Sequence, residues 1–140
     1  LALGGPSVSG APEHYSGFDY LHIGELGDAT EELIRRLDAS VEPPSRQVRL
    51  ETTDRIALDE FPVPAYDLVP LRHYLIGSLQ FSSGCPYRCD FCDIPALYGR
   101  QPRLKTPQQL TAELDAMLSQ RAHPNVIYFV DDNFIGNKKA

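Results

Sequence analysis

Apolar positions along this chain come in short runs with two different periods. Residues 1–3, Leu-Ala-Leu, stop at Gly4-Gly5-Pro6 and read as the end of a buried strand broken by a turn. Residues 18–23 are rich in aromatic and branched side chains and predict a second strand. Gly24 and Gly27 bracket the next turn. From Asp28 or Thr30 to Ala39 the period becomes helical: Leu33, Ile34 and Leu37 share one face, and Glu31 and Glu32 stand in the first turn, where the helix dipole favours anions. Short strand, turn and helix in that order is the grammar of a doubly wound sheet.

Residues 41–72 break the pattern. Pro43, Pro44, Pro62, Pro64 and Pro70 exclude a long helix. Residues 47–51 predict a short edge strand, and Leu50, Ile56, Leu58, Phe61 and Tyr66 supply enough apolar weight to pack. This stretch is expected to be an ordered connector between a unit over 1–40 and a second over 73–140. The second unit opens with a strand predicted over 75–81 and ended by Ser82-Ser83-Gly84. A helix follows with a strong start: Thr106 as N-cap, Pro107 in the first helical position and Gln109 completing a capping box. Leu110, Leu114, Met117 and Leu118 form its apolar face, and the helix should end before Pro124. Residues 126–130 are continuously apolar, as expected of a parallel strand buried on both faces. Strand, helix and strand make a βαβ unit, expected to be right-handed.

Composition then narrows the class. The chain has 140 residues, 42% hydrophobic and 23% charged, which is the balance of a folded globular protein. Its apolar runs are too short to span a bilayer, and no basic residue precedes an apolar stretch at the start. The net charge of −6 argues against nucleic acid as a partner. Leu1 is not a methionine, and both ends read as cut, so the chain is expected to be a fragment of a longer protein. Three cysteines, an odd number within eight residues, fit a metal site in a reducing cytoplasm better than a disulfide framework.

Those cysteines read Cys85-Pro86-Tyr87-Arg88-Cys89-Asp90-Phe91-Cys92. Three thiolates can bind three corners of an iron–sulfur cubane and leave the fourth iron open for a substrate. A structural zinc site wants four ligands, and the nearest candidate for the fourth, His73, lies twelve residues upstream. Ferredoxin loops of the bacterial kind use a different spacing and a fourth cysteine.

The spacing Cys-x-x-x-Cys-x-x-Cys, with the aromatic Phe91 just before the last cysteine, resembles the signature of the radical S-adenosylmethionine superfamily. The resemblance implies a 4Fe–4S cluster on Cys85, Cys89 and Cys92, with no further catalytic residue singled out. The open iron would chelate S-adenosylmethionine, and Phe91 would lie near its adenine. Reductive cleavage would give methionine and a 5′-deoxyadenosyl radical, with the electron arriving from a donor such as flavodoxin or ferredoxin. Many members carry Gly-Gly-Glu after the second strand. This chain departs from that with Asp131-Asp132-Asn133-Phe134, so Asp132, or else Asp131, becomes the candidate for the amino group of S-adenosylmethionine. The competing reading is that both aspartates only finish a strand and cap a turn. Asn137, Lys138 and Lys139 read as a solvated helix start.

The N-terminal piece resembles the last part of a cobalamin-binding Rossmann-like domain. Gly4-Gly5-Pro6 and Ile23-Gly24-Glu25 match turns of that domain, which makes Gly4, Gly5, Gly24 and Glu25 the candidate cobalamin residues; a plain βα turn is the bland alternative. His14 and His22 read as loop and strand histidines rather than cobalt ligands. Residues 93–100 together with 131–137 are similar to a bacterial subgroup of this class that resembles the hopanoid C-methylases. The implied fold is α/β: the C-terminal part of the Rossmann-like domain, then the first βαβ unit of a partial (β/α)6 barrel of the TIM type. The implied activity is cobalamin-dependent C-methylation of a small, lipid-like substrate. An oxidative cyclase with the same cofactors is a second reading, and an electron-transfer or zinc-binding module is a third.

Overall fold

The computed structural model describes residues 1–39 and 42–136, so the expected helix start at Asn137, Lys138 and Lys139 lies outside the described residues. The chain divides into two compact units, Leu1–Ile56 and Ala57–Ala140.

In the first unit, β1 (Ala2–Leu3), α1 (Pro6–Gly10), β2 (Tyr20–Ile23), α2 (Asp28–Ala39) and β3 (Val48–Glu51) follow in order. The sheet order is β1-β2-β3 and every pairing is parallel, with Leu3 opposite Leu21 and Leu21 opposite Arg49. The fold is thus α/β with parallel strands, as the short strand–helix alternation predicts. Residues 48–51 take the expected edge position, but they belong to this first sheet, so the stretch read as one connector over 41–72 is split between the two units.

The core of the first unit is Val8, Tyr20, Leu21 and Ala29. The expected apolar face of α2 is mostly not in it: Ile34 and Leu37 are about half exposed. A twelve-residue helix is about 18 Å long, whereas a four-residue strand spans about 13 Å, so the C-terminal turns of α2 outrun the sheet they pack on. The start of α2 is pinned instead. Asp28 accepts hydrogen bonds from the Thr53 hydroxyl at 2.6 Å and from the backbone N–H groups of Thr53 and Ala29 at 3.0 and 2.9 Å.

The second unit contains β4 (Ile76–Leu79), β5 (Ser82–Ser83), α3 (Ile94–Leu97), β6 (Arg103–Leu104), α4 (Pro107–Leu118) and β7 (Val126–Phe129). β4 and β7 pair in parallel, Ile76 opposite Val126 and Leu79 opposite Phe129, with α4 as the crossover. The capping box forms as expected: the Gln109 N–H donates to Thr106 Oγ1 at 3.2 Å, and the Thr106 N–H donates to Gln109 Oε1 at 2.9 Å. Leu71, Leu79 and Met117 form the core, with Tyr66, Leu114 and Ile127 packed against it. A Cβ on Gly77 would lie 2.5 Å from Met117 Sδ and 2.8 Å from Ile127 Cδ1, so the bare position lets both side chains lie close over β4.

Two expectations are corrected here. Leu118 is exposed, and the fourth inward position of α4 is taken by Glu113. β7 is not buried on both faces: Ile127 reaches the core, while Val126 and Tyr128 stand exposed. A single helix covers one face of a two-stranded sheet, and alternate side chains of β7 point to the other.

Glu113 is 2% exposed and forms an ion pair with Lys105, 6% exposed, at a nitrogen–oxygen separation of 2.5 Å. Its charge, after burial, is the second cause that raises the Tyr66 hydroxyl above its ordinary pKa. Breaking a buried pair leaves an uncompensated charge. Glu113→Ala should therefore destabilise the protein by about 3–5 kcal/mol, read from urea unfolding. The double change Lys105→Met, Glu113→Leu should recover most of that loss; an equal loss in the double variant would show that the pair is not the source.

The hydrogen bonds to Asp28, first that from the Thr53 hydroxyl, push its carboxyl down from 3.8 to about 2. The folded value lies below the unfolded one, so the carboxylate stabilises the fold above about pH 4, and that contribution is lost as pH falls from there through about 2. Asp28→Asn should unfold at lower denaturant than the native chain at pH 6, and the two midpoints should converge near pH 2.

Candidate functional site

The three cysteines stand on a loop that the chain closes on itself. β5 pairs antiparallel with β6, Ser82 opposite Leu104 and Ser83 opposite Arg103, so residues 84–102 leave and return at one point. The Lys105 N–H extends this ladder to the Phe81 carbonyl at 2.8 Å. Inside the loop the Cys85 N–H donates to the Gly99 carbonyl at 3.2 Å, and Arg100 Nη2 donates to the Pro86 carbonyl at 2.7 Å. The Cys92 N–H returns to the Cys89 carbonyl at 3.1 Å, a turn that places the last two cysteines on one bend. Gly84 is required at the loop's entrance: its φ is +91°, and a Cβ there would sit 2.9 Å from the Gln101 carbonyl oxygen.

β7 ends beside this entrance because β4 and β7 run parallel and finish together. Asp131 Oδ1 accepts from the Phe81 N–H at 3.0 Å and from the Ser82 N–H. Asp132 Oδ2 accepts from the Gly84 N–H at 2.8 Å. The Asn133 carbonyl accepts from the Ser82 hydroxyl at 3.3 Å, and its side-chain amide donates to Cys85 Sγ at 3.6 Å. Phe134 packs its ring on Phe81 and Phe129 at centroid distances of 5.4 and 5.3 Å, which fixes the turn that carries these residues. Asp131 and Asp132 thus brace the loop, a role outside both readings of the pair in the sequence. Asn133, Gly84 and the Lys105–Glu113 pair were missed there, since their partners lie 8 to 51 residues away or are backbone groups with no sequence signal.

Cys85, Cys89 and Cys92 are free thiols, Cys89 exposed and the other two half-buried. Among the described residues, no group of three or more His, Cys, Asp or Glu side chains converges to hold a single metal ion. The donor set is three free thiols on one loop, the ligand type that iron–sulfur clusters use. Phe91 is 90% exposed, so its ring fills no core position and is available to lie on a ligand. One oxygen of Asp131, Oδ2, is buried without a hydrogen-bond partner among the described residues.

In the first unit the residues expected to meet cobalamin gather at the carboxyl ends of adjacent parallel strands, where α/β sheets bind ligands. Gly4 and Gly5 follow β1, and Gly24 and Glu25 follow β2. A Cβ on Gly5 would meet nothing within 4 Å, so the backbone there is open. The Gly24 N–H is taken by Ser9 Oγ at 2.8 Å, and Glu25 pairs with Arg55 at 2.9 Å, which ties this edge together from within. His22 bonds Thr30 Oγ1 at 2.8 Å, and burial lowers its pKa.

No family model and no solved structure matches the sequence. Curated proteins do, and they define a class: the chain is a relative of a hopanoid C-2 methylase and of an uncharacterised methyltransferase over its whole length, and of a hopanoid C-3 methylase over about half of it. It is 60% identical over all 140 of its residues to the hopanoid C-2 methylase of Rhodopseudomonas palustris, of which the match covers 26%. It is 40% identical to an uncharacterised methyltransferase of Synechocystis, over 99% of the chain and 25% of that protein. A third relative, the hopanoid C-3 methylase of Methylococcus capsulatus, is 35% identical over 82 residues, 54% of this chain and 15% of that protein. The chain spans about a quarter of the length of the first two.

Gly84→Ala should cost about 1–2 kcal/mol from the left-handed backbone alone, and more from the contact with Gln101. Thermal unfolding should show the loss, and iron uptake on reconstitution should fall with it. Unchanged stability and iron content would mean that the loop entrance is not fixed as described.

Proposed function

We propose that this chain is part of a radical S-adenosylmethionine C-methyltransferase acting in the cytoplasm on a hopanoid-like lipid. The observation that carries this reading is the 60% identity to a hopanoid C-2 methylase over all 140 residues of the chain. In this reading the second unit is the opening βαβ of a partial (β/α)6 barrel, and the first is the end of a Rossmann-like cobalamin domain. The parallel pairings β1-β2-β3 and β4-β7 are compatible with both.

Cys85, Cys89 and Cys92 would hold a 4Fe–4S cluster, and Gly4, Gly5, Gly24 and Glu25 would face the cobalamin. When bound, the cluster supplies the electron that splits the sulfonium of S-adenosylmethionine, and cobalamin supplies the methyl group. The chain's own residues bind and orient. Phe91 offers an exposed aromatic face for the adenine. Asp132, whose Oδ2 accepts from the Gly84 N–H, would accept from the amino group of S-adenosylmethionine with its other oxygen. A one-electron donor of the flavodoxin or ferredoxin type would reach the exposed loop.

The test uses the full-length protein, reconstituted anaerobically with iron and sulfide and given reductant and S-adenosylmethionine. We expect 5′-deoxyadenosine from the native protein, and only background from Cys89→Ala. With a hopanoid lipid added, the lipid should gain the mass of one methylene group. An intact cluster that yields no nucleoside would sink the radical-enzyme reading. Nucleoside with no lipid mass change would leave radical chemistry standing and remove the methyl transfer to hopanoids.

A further inference from the structure

The turn after β7 does more than close the sheet. Residues Asp131, Asp132 and Asn133 hold five atoms of the segment 81–85: the N–H groups of Phe81, Ser82 and Gly84, the Ser82 hydroxyl, and the sulfur of Cys85. Four of these contacts fix backbone or a hydroxyl. The fifth is chemically different, because it places an amide N–H on the sulfur of a proposed cluster ligand. Asn133 is half-buried, its carbonyl is engaged by the Ser82 hydroxyl at 3.3 Å and by the Gly136 N–H at 3.0 Å, and Phe134 beside it is seated between two rings. Its side chain is therefore aimed by a fixed turn rather than by chance rotation.

We propose that Asn133 is a positioning residue whose side-chain amide, donating to Cys85 Sγ, sets the reduction potential of the cluster held by the loop. This rests on the cluster reading given above. The physical argument is electrostatic. Adding an electron raises the negative charge on the cluster and on its thiolate sulfurs, and a hydrogen bond to a thiolate is stronger the more negative the sulfur. The donor thus favours the reduced state, and hydrogen bonds to the sulfurs are among the factors that tune such potentials. Asp131 and Asp132 are acceptors and do the opposite if brought near the cluster. Their oxygens Asp131 Oδ1 and Asp132 Oδ2 are instead held on the backbone N–H groups of Phe81, Ser82 and Gly84. The turn thereby presents a donor, not a carboxylate, to Cys85.

The test is an anaerobic redox titration of the reconstituted full-length protein, followed by the spectrum of the reduced cluster, with iron and sulfide content measured on each sample. Asn133→Leu removes the donor at similar size. We expect its cluster to be harder to reduce by about tenfold in the one-electron equilibrium, a shift of about 59 mV to more negative potential. Asn133→His puts a ring nitrogen where the amide nitrogen stands and should return the potential most of the way to native, which a merely structural role would not do. Iron and sulfide present in all three proteins with equal potentials would overturn the inference while leaving the cluster reading intact. Absence of iron and sulfide from the native protein itself would overturn both. If Asn133→Leu takes up no cluster, the comparison of Asn133→His with native decides: native-like uptake and potential support the donor, and native-like uptake with a potential shifted as far as about 59 mV opposes it.

Discussion

Everything about the cysteine loop depends on where the backbone N–H groups of Phe81, Ser82 and Gly84 find acceptors. They lie just beyond β4, where the parallel ladder with β7 has ended, and an unpaired buried amide costs as much as a lost hydrogen bond. The carboxylates of Asp131 and Asp132 take them. Because β4 and β7 run in the same direction, both finish at one edge, and two acidic residues after β7 arrive where three amide donors are left over. The loop that starts at Gly84 is therefore launched from a fixed point in a fixed direction. The antiparallel pairing of Ser82–Ser83 with Arg103–Leu104 brings it back to the same place.

The return leg is anchored by a second constraint of a different kind. Lys105 gives its N–H to the Phe81 carbonyl, and its ammonium to Glu113, which projects from α4. One residue thus joins the ladder of the loop to the helix that crosses from β4 to β7. A buried ion pair is weak evidence for stability, since desolvating two charges offsets most of their attraction. Its value here is placement: neither charge can leave without stranding the other. Gln109 extends the anchoring, capping the same helix and donating from Nε2 to the Leu58 and Phe61 carbonyls at 3.3 Å, so the short 3-10 turn at Leu58–Glu60 is held to the helix start.

Each unit brings strand ends together through parallel pairing and sets a glycine in the turn that follows. Gly5 stands in free space after β1, and Gly84 turns into the loop after β4 and β5. In each case neighbouring side chains tie the turn: Ser9 of α1 and Arg55 beyond β3 around Gly24 and Glu25, Asp131 to Asn133 beyond β7 around Gly84 and Cys85. The aspartates after β7 read ambiguously in sequence because their partners are backbone amides, which carry no sequence signal.

What the sequence determined by itself was local. The capping box at Thr106 and Gln109 depends only on residues three apart, and it forms as written. The strands at Tyr20–Ile23, Val48–Glu51, Ile76–Leu79 and Val126–Phe129 follow from short apolar or alternating stretches between turn residues. The cysteine spacing and Phe91 identified the chemistry to look for, because ligand type and spacing are covalent properties of the chain. Only tertiary structure decided burial and partnership. Ile34, Leu37 and Leu118 are apolar yet exposed, and Glu113 is charged yet buried, because a helix face is covered only where a strand lies beneath it and a charge is buried only where its counter-charge meets it. The brace from Asp131, Asp132 and Asn133 joins residues about fifty positions apart to backbone amides that every residue but proline possesses. No local pattern can announce such a contact; the parallel register of β4 and β7 creates it.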